Sequence, residues 1–143
     1  MFATCGQSLY PPQIADENLP DKRIKFKPLL APQARIDLNE LLDWTLENFG
    51  HEAAWRYEAL ILQAIRDIAA NENPPGSRDR SELRVGLRTY SLSLSRDNVS
   101  ASVGKVRSPR HFLMYRRHEE ERRIEILRIL HEDRDMTFHL PRD

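Results

Sequence analysis

The sequence predicts an α+β fold: a two-helix hairpin packed on one face of a small, mainly antiparallel β-sheet, in the order β-α-α-β-β-β. Three observations carry this expectation. Residues 31–71 hold two apolar stripes at helical spacing with almost no link between them. After residue 80 the hydrophobic period changes from 3.6 to 2. The last apolar run, "RRIEILRIL" (122–130), is β-branched and only nine residues long, which fits a strand better than a helix.

Taken in order, residues 1–22 mix Pro, Gly, Gln and Asn without periodicity and predict a flexible N-terminal tail before a domain spanning 23–143. "RIKFK" (23–27) alternates Ile24 and Phe26 with lysine, the pattern of a half-buried edge strand. "APQARIDLNELLDWTLENFG" predicts a helix with Pro32 in the first turn, Asp37 and Glu40 near the positive end of its dipole, and Gly50 as its stop. Leu38, Leu41, Leu42, Thr45 and Phe49 form its stripe. The second helix, "HEAAWRYEALILQAIRDIAAN", carries Ala54, Tyr57, Ile61, Ile65 and Ile68, and "NPPG" ends it. Neither stripe places an inward Cys, His or carboxylate at ligand spacing, so the hairpin reads as scaffold.

In "SELRVGLRTYSLSLS", Leu83, Val85 and Leu87 take odd positions, whereas Tyr90, Leu92 and Leu94 take even ones. The switch near Thr89 implies a bulge, or a loop leading to a shorter strand. Residues 95–109, rich in Ser, Gly and Arg, predict a long mobile loop. "HFLMYRR" (111–117) and "RRIEILRIL" are strands joined by the acidic turn "HEEE". In the last strand Ile124, Ile126 and Leu130 face one way, and Leu127 and Ile129 the other, as in an interior strand covered on both sides.

Composition bounds the function. A chain of 143 residues predicts one domain, and 40% hydrophobic with 31% charged residues is ordinary for a soluble protein. The longest apolar stretch, "ALILQAI", is too short to span a bilayer, and the N-terminus has no basic and apolar run of a secretory signal. With one cysteine, Cys5, and no internal disulfide, the expectation is a cytoplasmic protein. Zero net charge hides a dipole: residues 1–77 hold 7 basic and 11 acidic side chains, while 78–117 hold 10 basic and 3 acidic, nine of the ten being Arg. Either an acidic partner or solvated strand edges explain that bias.

The hairpin followed by "SELRVGLRTY", "PRHFLMYR", "IEILRILHE" and a final "HLP" resembles the ParE branch of the RelE/ParE toxins of bacterial type II toxin–antitoxin modules, over roughly residues 24–141. This sequence departs from the family pattern in "LHEDRDM", where members usually continue "LH" with E-R-M-D. The resemblance implies a small cytoplasmic toxin, linked to growth arrest and plasmid stabilisation, that binds DNA gyrase and its bound DNA without catalysing a reaction. It further implies a ParD-like antitoxin as partner in a hetero-oligomer, and no cofactor. RelE-like relatives share the fold but cut messenger RNA on the ribosome, and a decayed member would bind antitoxin and poison nothing.

The polar segment that ends the chain has three readings. His131, Asp133, Asp135 and His139 offer metal ligands, but their spacing is no established zinc pattern, so no metal is expected. A nuclease needs a base, an acid and cationic stabilisation of the transition state. His131, His139 and Tyr115 are its candidates, with Arg84, Arg88 and Arg128 as phosphate clamps. In the third reading, Arg84, Arg88, Arg128, His131 and Arg134 form a target-binding surface. Arg128 interrupts an apolar face, so its charge must pair internally, with a helix carboxylate such as Asp67, or reach a partner at the rim. Trp44, Trp55, Leu92 and Phe112 are the candidate antitoxin contacts, with the protein core as their alternative.

Overall fold

The computed structural model describes residues 25–71 and 73–134. The predicted tail of residues 1–22, the start of the first expected strand and His139 lie outside them. Five strands form one sheet in the order β1-β5-β4-β3-β2: β1 (Lys27–Leu30), β2 (Arg78–Asp79), β3 (Leu87–Ser91), β4 (His111–His118) and β5 (Arg123–His131). β1 runs parallel to β5, and the other pairs are antiparallel. Helices α1 (Pro32–Phe49) and α2 (His51–Ala69) follow β1 and pack on one face. The α+β expectation holds, with the two-residue β2 added at one edge.

Gly50 is the whole connection between the helices. Its N–H closes α1 on Leu46 O (3.0 Å), and its carbonyl accepts Ala54 N–H (3.1 Å) to open α2. It does so at φ +92°, a conformation glycine adopts without steric cost. Phe49, assigned to the inward stripe, is instead 66% exposed at the last position of α1, where its ring meets Trp44. Asp37 and Glu40 lie beyond the first turn of α1, so capping the dipole is not their role.

The first strand is displaced from "RIKFK" to Lys27–Leu30. Phe26 is buried beside the sheet, with the guanidiniums of Arg122 and Arg117 over its ring at 4.5 and 5.5 Å. Lys27 and Ala31 N–H groups donate to Arg122 and Ile126 carbonyls, so Pro28 between them turns its missing donor away from β5. An edge strand tolerates that.

The phase switch at Thr89 is not a bulge. Residues 83–86 form turns that leave Val85 84% exposed, and the strand begins only at Leu87. Leu87 then joins a cluster with Met114, Leu127 and Leu130 on one face, while Tyr90 joins the main core under the helices. Only Leu87–Ser91 alternates as a strand, covered on both faces, and the two runs flanking it lie in the turns and in the 3-10 helix.

The register shift lies in the β4–β5 ladder: Tyr115 pairs with Ile126 but Met114 with Arg128, leaving Leu127 as an extra residue. Beyond it the faces exchange. Ile129 packs with Ile124 and Ile126 under the helices, and Leu130 with Leu127 on the other side, the reverse of the alternation read from sequence. The segment predicted as a loop over 95–109 begins inside a 3-10 helix, Leu92–Asn98, and is pinned to α2. Ser95 Oγ donates to Asp67 (2.5 Å), and Arg56 Nε donates to Val103 O (3.3 Å).

Candidate functional site

A cleft of about 490 Å³ opens between α1 and the C-terminal end of β5. Gln33, Asp37, Leu41 and Trp44, spaced four, four and three residues apart, form the wall contributed by α1. The opposite wall carries Arg128, His131 and Arg134, the last two at and just past the end of the strand.

Arg128 is held rather than presented. Its Nε donates to Asp37 Oδ2 (2.8 Å) and its Nη2 to Asp37 Oδ1 (3.1 Å), a two-pronged pair with only 16% of the Arg and 8% of the Asp side chain exposed. Oδ2 also accepts Ile129 N–H (2.9 Å). The internal partner is therefore a helix carboxylate, but Asp37 of α1 rather than Asp67. Asp67 faces the 3-10 helix, where it accepts hydrogen bonds from Ser95, Asn98 and Gln63.

At the mouth of the cleft the candidate His131 meets two residues the sequence did not single out for a site, His111 and Tyr57. His111 and His131 are paired across the β4–β5 ladder, with rings edge to face at 5.1 Å. Tyr57 of α2 reaches His111 Nδ1 with its hydroxyl (2.7 Å) and accepts Arg110 N–H (3.3 Å). The Tyr57 oxygen thus accepts the Arg110 N–H while sharing one hydrogen with His111 Nδ1, the donor being set by the imidazole tautomer. Burial, assisted by the neighbouring His131, depresses the His111 imidazole from 6.5 to about 4, and burial pushes the Tyr57 phenol up to about 12. His131 Nδ1 accepts Asp133 N–H (3.1 Å). The arrangement can hold one neutral imidazole beside a second, more exposed one, next to the Arg134 cation.

A folded pKa below the unfolded value means that the unfolded chain takes up the proton first. The His111 contribution to stability is thus fully present above pH 6.5 and is lost as pH falls towards 4. Denaturant midpoints are expected to drop between pH 7 and pH 5, and to drop less in His111→Asn, which keeps an acceptor for Tyr57. Equal drops in both proteins would show that the ring titrates as a solvated one.

The remaining candidates disperse. Arg88 donates from Nε to Ser77 Oγ (2.9 Å), and Ser77 Oγ in turn bonds the Tyr115 hydroxyl (2.6 Å). Tyr115 is fully buried, so as placed its phenol reaches no substrate. Arg84 sits in the turn before β3, away from the cleft. Leu92 is fully buried in the core, which removes it as a contact in this conformation. Phe112 is half-buried against the second cluster. Trp44 is 56% and Trp55 39% exposed, and Trp44 meets the exposed Phe49 ring at 5.6 Å. Among the described residues, no three His, Cys, Asp or Glu side chains come together to hold a metal ion.

A family model described as the ParE toxin of the type II toxin–antitoxin system parDE matches residues 29–136, from within β1 to just past the cleft. No curated protein matches the chain.

Proposed function

Since this chain belongs to the ParE toxin family of type II toxin–antitoxin systems, we propose that it inhibits DNA gyrase by binding and is silenced by a ParD-like antitoxin in a cytoplasmic hetero-oligomer. The observation that carries a binding mechanism over a catalytic one is the use made of the two most chemically suggestive side chains. Arg128 is neutralised by Asp37, and the Tyr115 hydroxyl is buried against Ser77. Neither is poised to stabilise a reacting phosphate.

The exposed aromatic group of Trp44, Phe49 and Trp55 supports a protein partner laid along the helical hairpin. No helix among the described residues is long and apolar enough to cross a membrane.

The messenger-RNA-cutting reading draws support from one feature, the His111–His131 pair beside Arg134. Pulse-labelling just after induction of this protein alone separates the two. Arrest of DNA synthesis before protein synthesis is the expected result. Protein synthesis stopping first would replace the gyrase reading with the nuclease one. Continued synthesis of both would mark a decayed member that only binds its antitoxin.

A further inference from the structure

A second groove, of about 560 Å³, lies on the face of the sheet that bears Leu87 and Met114, and shares Arg134 with the cleft. Three guanidiniums line it: Arg78 from β2, Arg80 just beyond that strand, and Arg134. Against them stands one carboxylate, Glu132, which already accepts Arg110 Nη1 (3.1 Å) outside the charge of the groove. Arg80 is lightly held, with Glu82 and Thr89 both at 3.5 Å. Ser91 and Ser93 add hydroxyls, and Phe112 adds a half-buried ring.

We propose that this groove binds the backbone of single-stranded DNA. Arg78 and Arg80 alternate along an extended edge, so their Cα atoms lie about 7 Å apart. That separation is comparable to the one between neighbouring phosphates of an extended strand, and guanidiniums pair with phosphate oxygens bidentately. Phe112 gives a base a face to stack on, the second requirement of sequence-tolerant single-strand binding. An acidic peptide would satisfy the cations but would leave that face unused. The choice of DNA over RNA rests on the gyrase reading, in which the toxin meets the DNA bound by its target.

The test is fluorescence anisotropy of the full chain with labelled dT20, with rU20 and a decaglutamate peptide as competitors, over a range of salt. Wild type binds dT20 with an affinity that falls as salt rises. Arg78→Gln/Arg80→Gln binds at least about tenfold more weakly with a shallower salt slope, since two phosphate contacts are gone. Arg134→Gln, three residues past the end of β5, also weakens binding and keeps the result independent of folding at β2. Arg107→Gln, an exposed arginine outside the groove with the same loss of charge, binds as wild type does. Equal affinity of wild type and the double variant, or no binding by wild type, overturns the proposal. Displacement by decaglutamate ahead of unlabelled dT20 reassigns the groove to an acidic peptide, and tighter binding of rU20 overturns the choice of DNA. The gyrase reading fails separately, through arrest of protein synthesis first, which leaves these titrations unchanged.

Discussion

Asp37→Ala is expected to destabilise the fold by about 3–5 kcal/mol, because it removes the carboxylate that pairs bidentately with a largely buried guanidinium. Three donors lose their acceptor at once: Nε and Nη2 of Arg128 and the N–H of Ile129. At this size the melting temperature falls by roughly 10 °C. The cost belongs to the buried charge that loses its Asp37 carboxylate rather than to the pair itself. Asp37→Ala/Arg128→Met is therefore expected to recover most of the loss, leaving the unmet Ile129 N–H as the remaining deficit. Asp37→Asn falls between, keeping one acceptor and no charge. Thermal melts of the four proteins decide the matter. If Asp37→Ala melts within a degree or two of wild type, Arg128 is solvated and its role reverts to partner binding.

That pair also shows where sequence reasoning reaches its limit. An arginine interrupting the apolar run of β5 is visible in "IEILRIL", and so is the need for a partner. Which carboxylate answers it depends on how α1 lies across the sheet, 91 positions away, and no local pattern encodes that. The helices themselves were legible because stripe, proline and glycine agree on the same boundaries. β1 was misplaced because four residues with a central proline contain no alternation to read. β2, two residues long, carries no periodic signal at all.

The His111–His131 pair was within reach and missed for a definable reason. Counting outward across the hairpin from His118 opposite Arg123 places His111 against Leu130. The extra residue at Leu127 advances β5 by one and brings His131 there instead. The same single insertion exchanges the faces of Ile129 and Leu130. A one-residue bulge changes neither the length nor the composition of the run, so both errors have one cause.

Asp67→Ala is expected to cost about 2–3 kcal/mol, through hydrogen bonds to a charged acceptor rather than through a stranded cation. Oδ2 of Asp67 accepts Ser95 Oγ (2.5 Å) and Asn98 Nδ2 (2.9 Å), while Oδ1 accepts Gln63 Nε2 (2.9 Å). Ser95 is fully buried and also bonds the Tyr90 hydroxyl at 2.8 Å, so no water replaces the lost acceptor without opening the 3-10 helix. Ser95→Ala removes one link and should cost about 1 kcal/mol, with the double variant close to Asp67→Ala alone, since both break one network. Amide exchange in residues 92–106 is expected to quicken in Asp67→Ala more than elsewhere, because the segment would then be held by the packing of Leu92, Val99, Val103 and Val106 and by the Arg56 bond. Unchanged exchange there would mean that apolar contacts fix the segment. Binding of dT20 is the second readout. Ser93 rides on the 3-10 helix and lines the groove. A loosened segment should weaken the oligonucleotide complex modestly, leaving its salt slope, set by Arg78, Arg80 and Arg134, as it was.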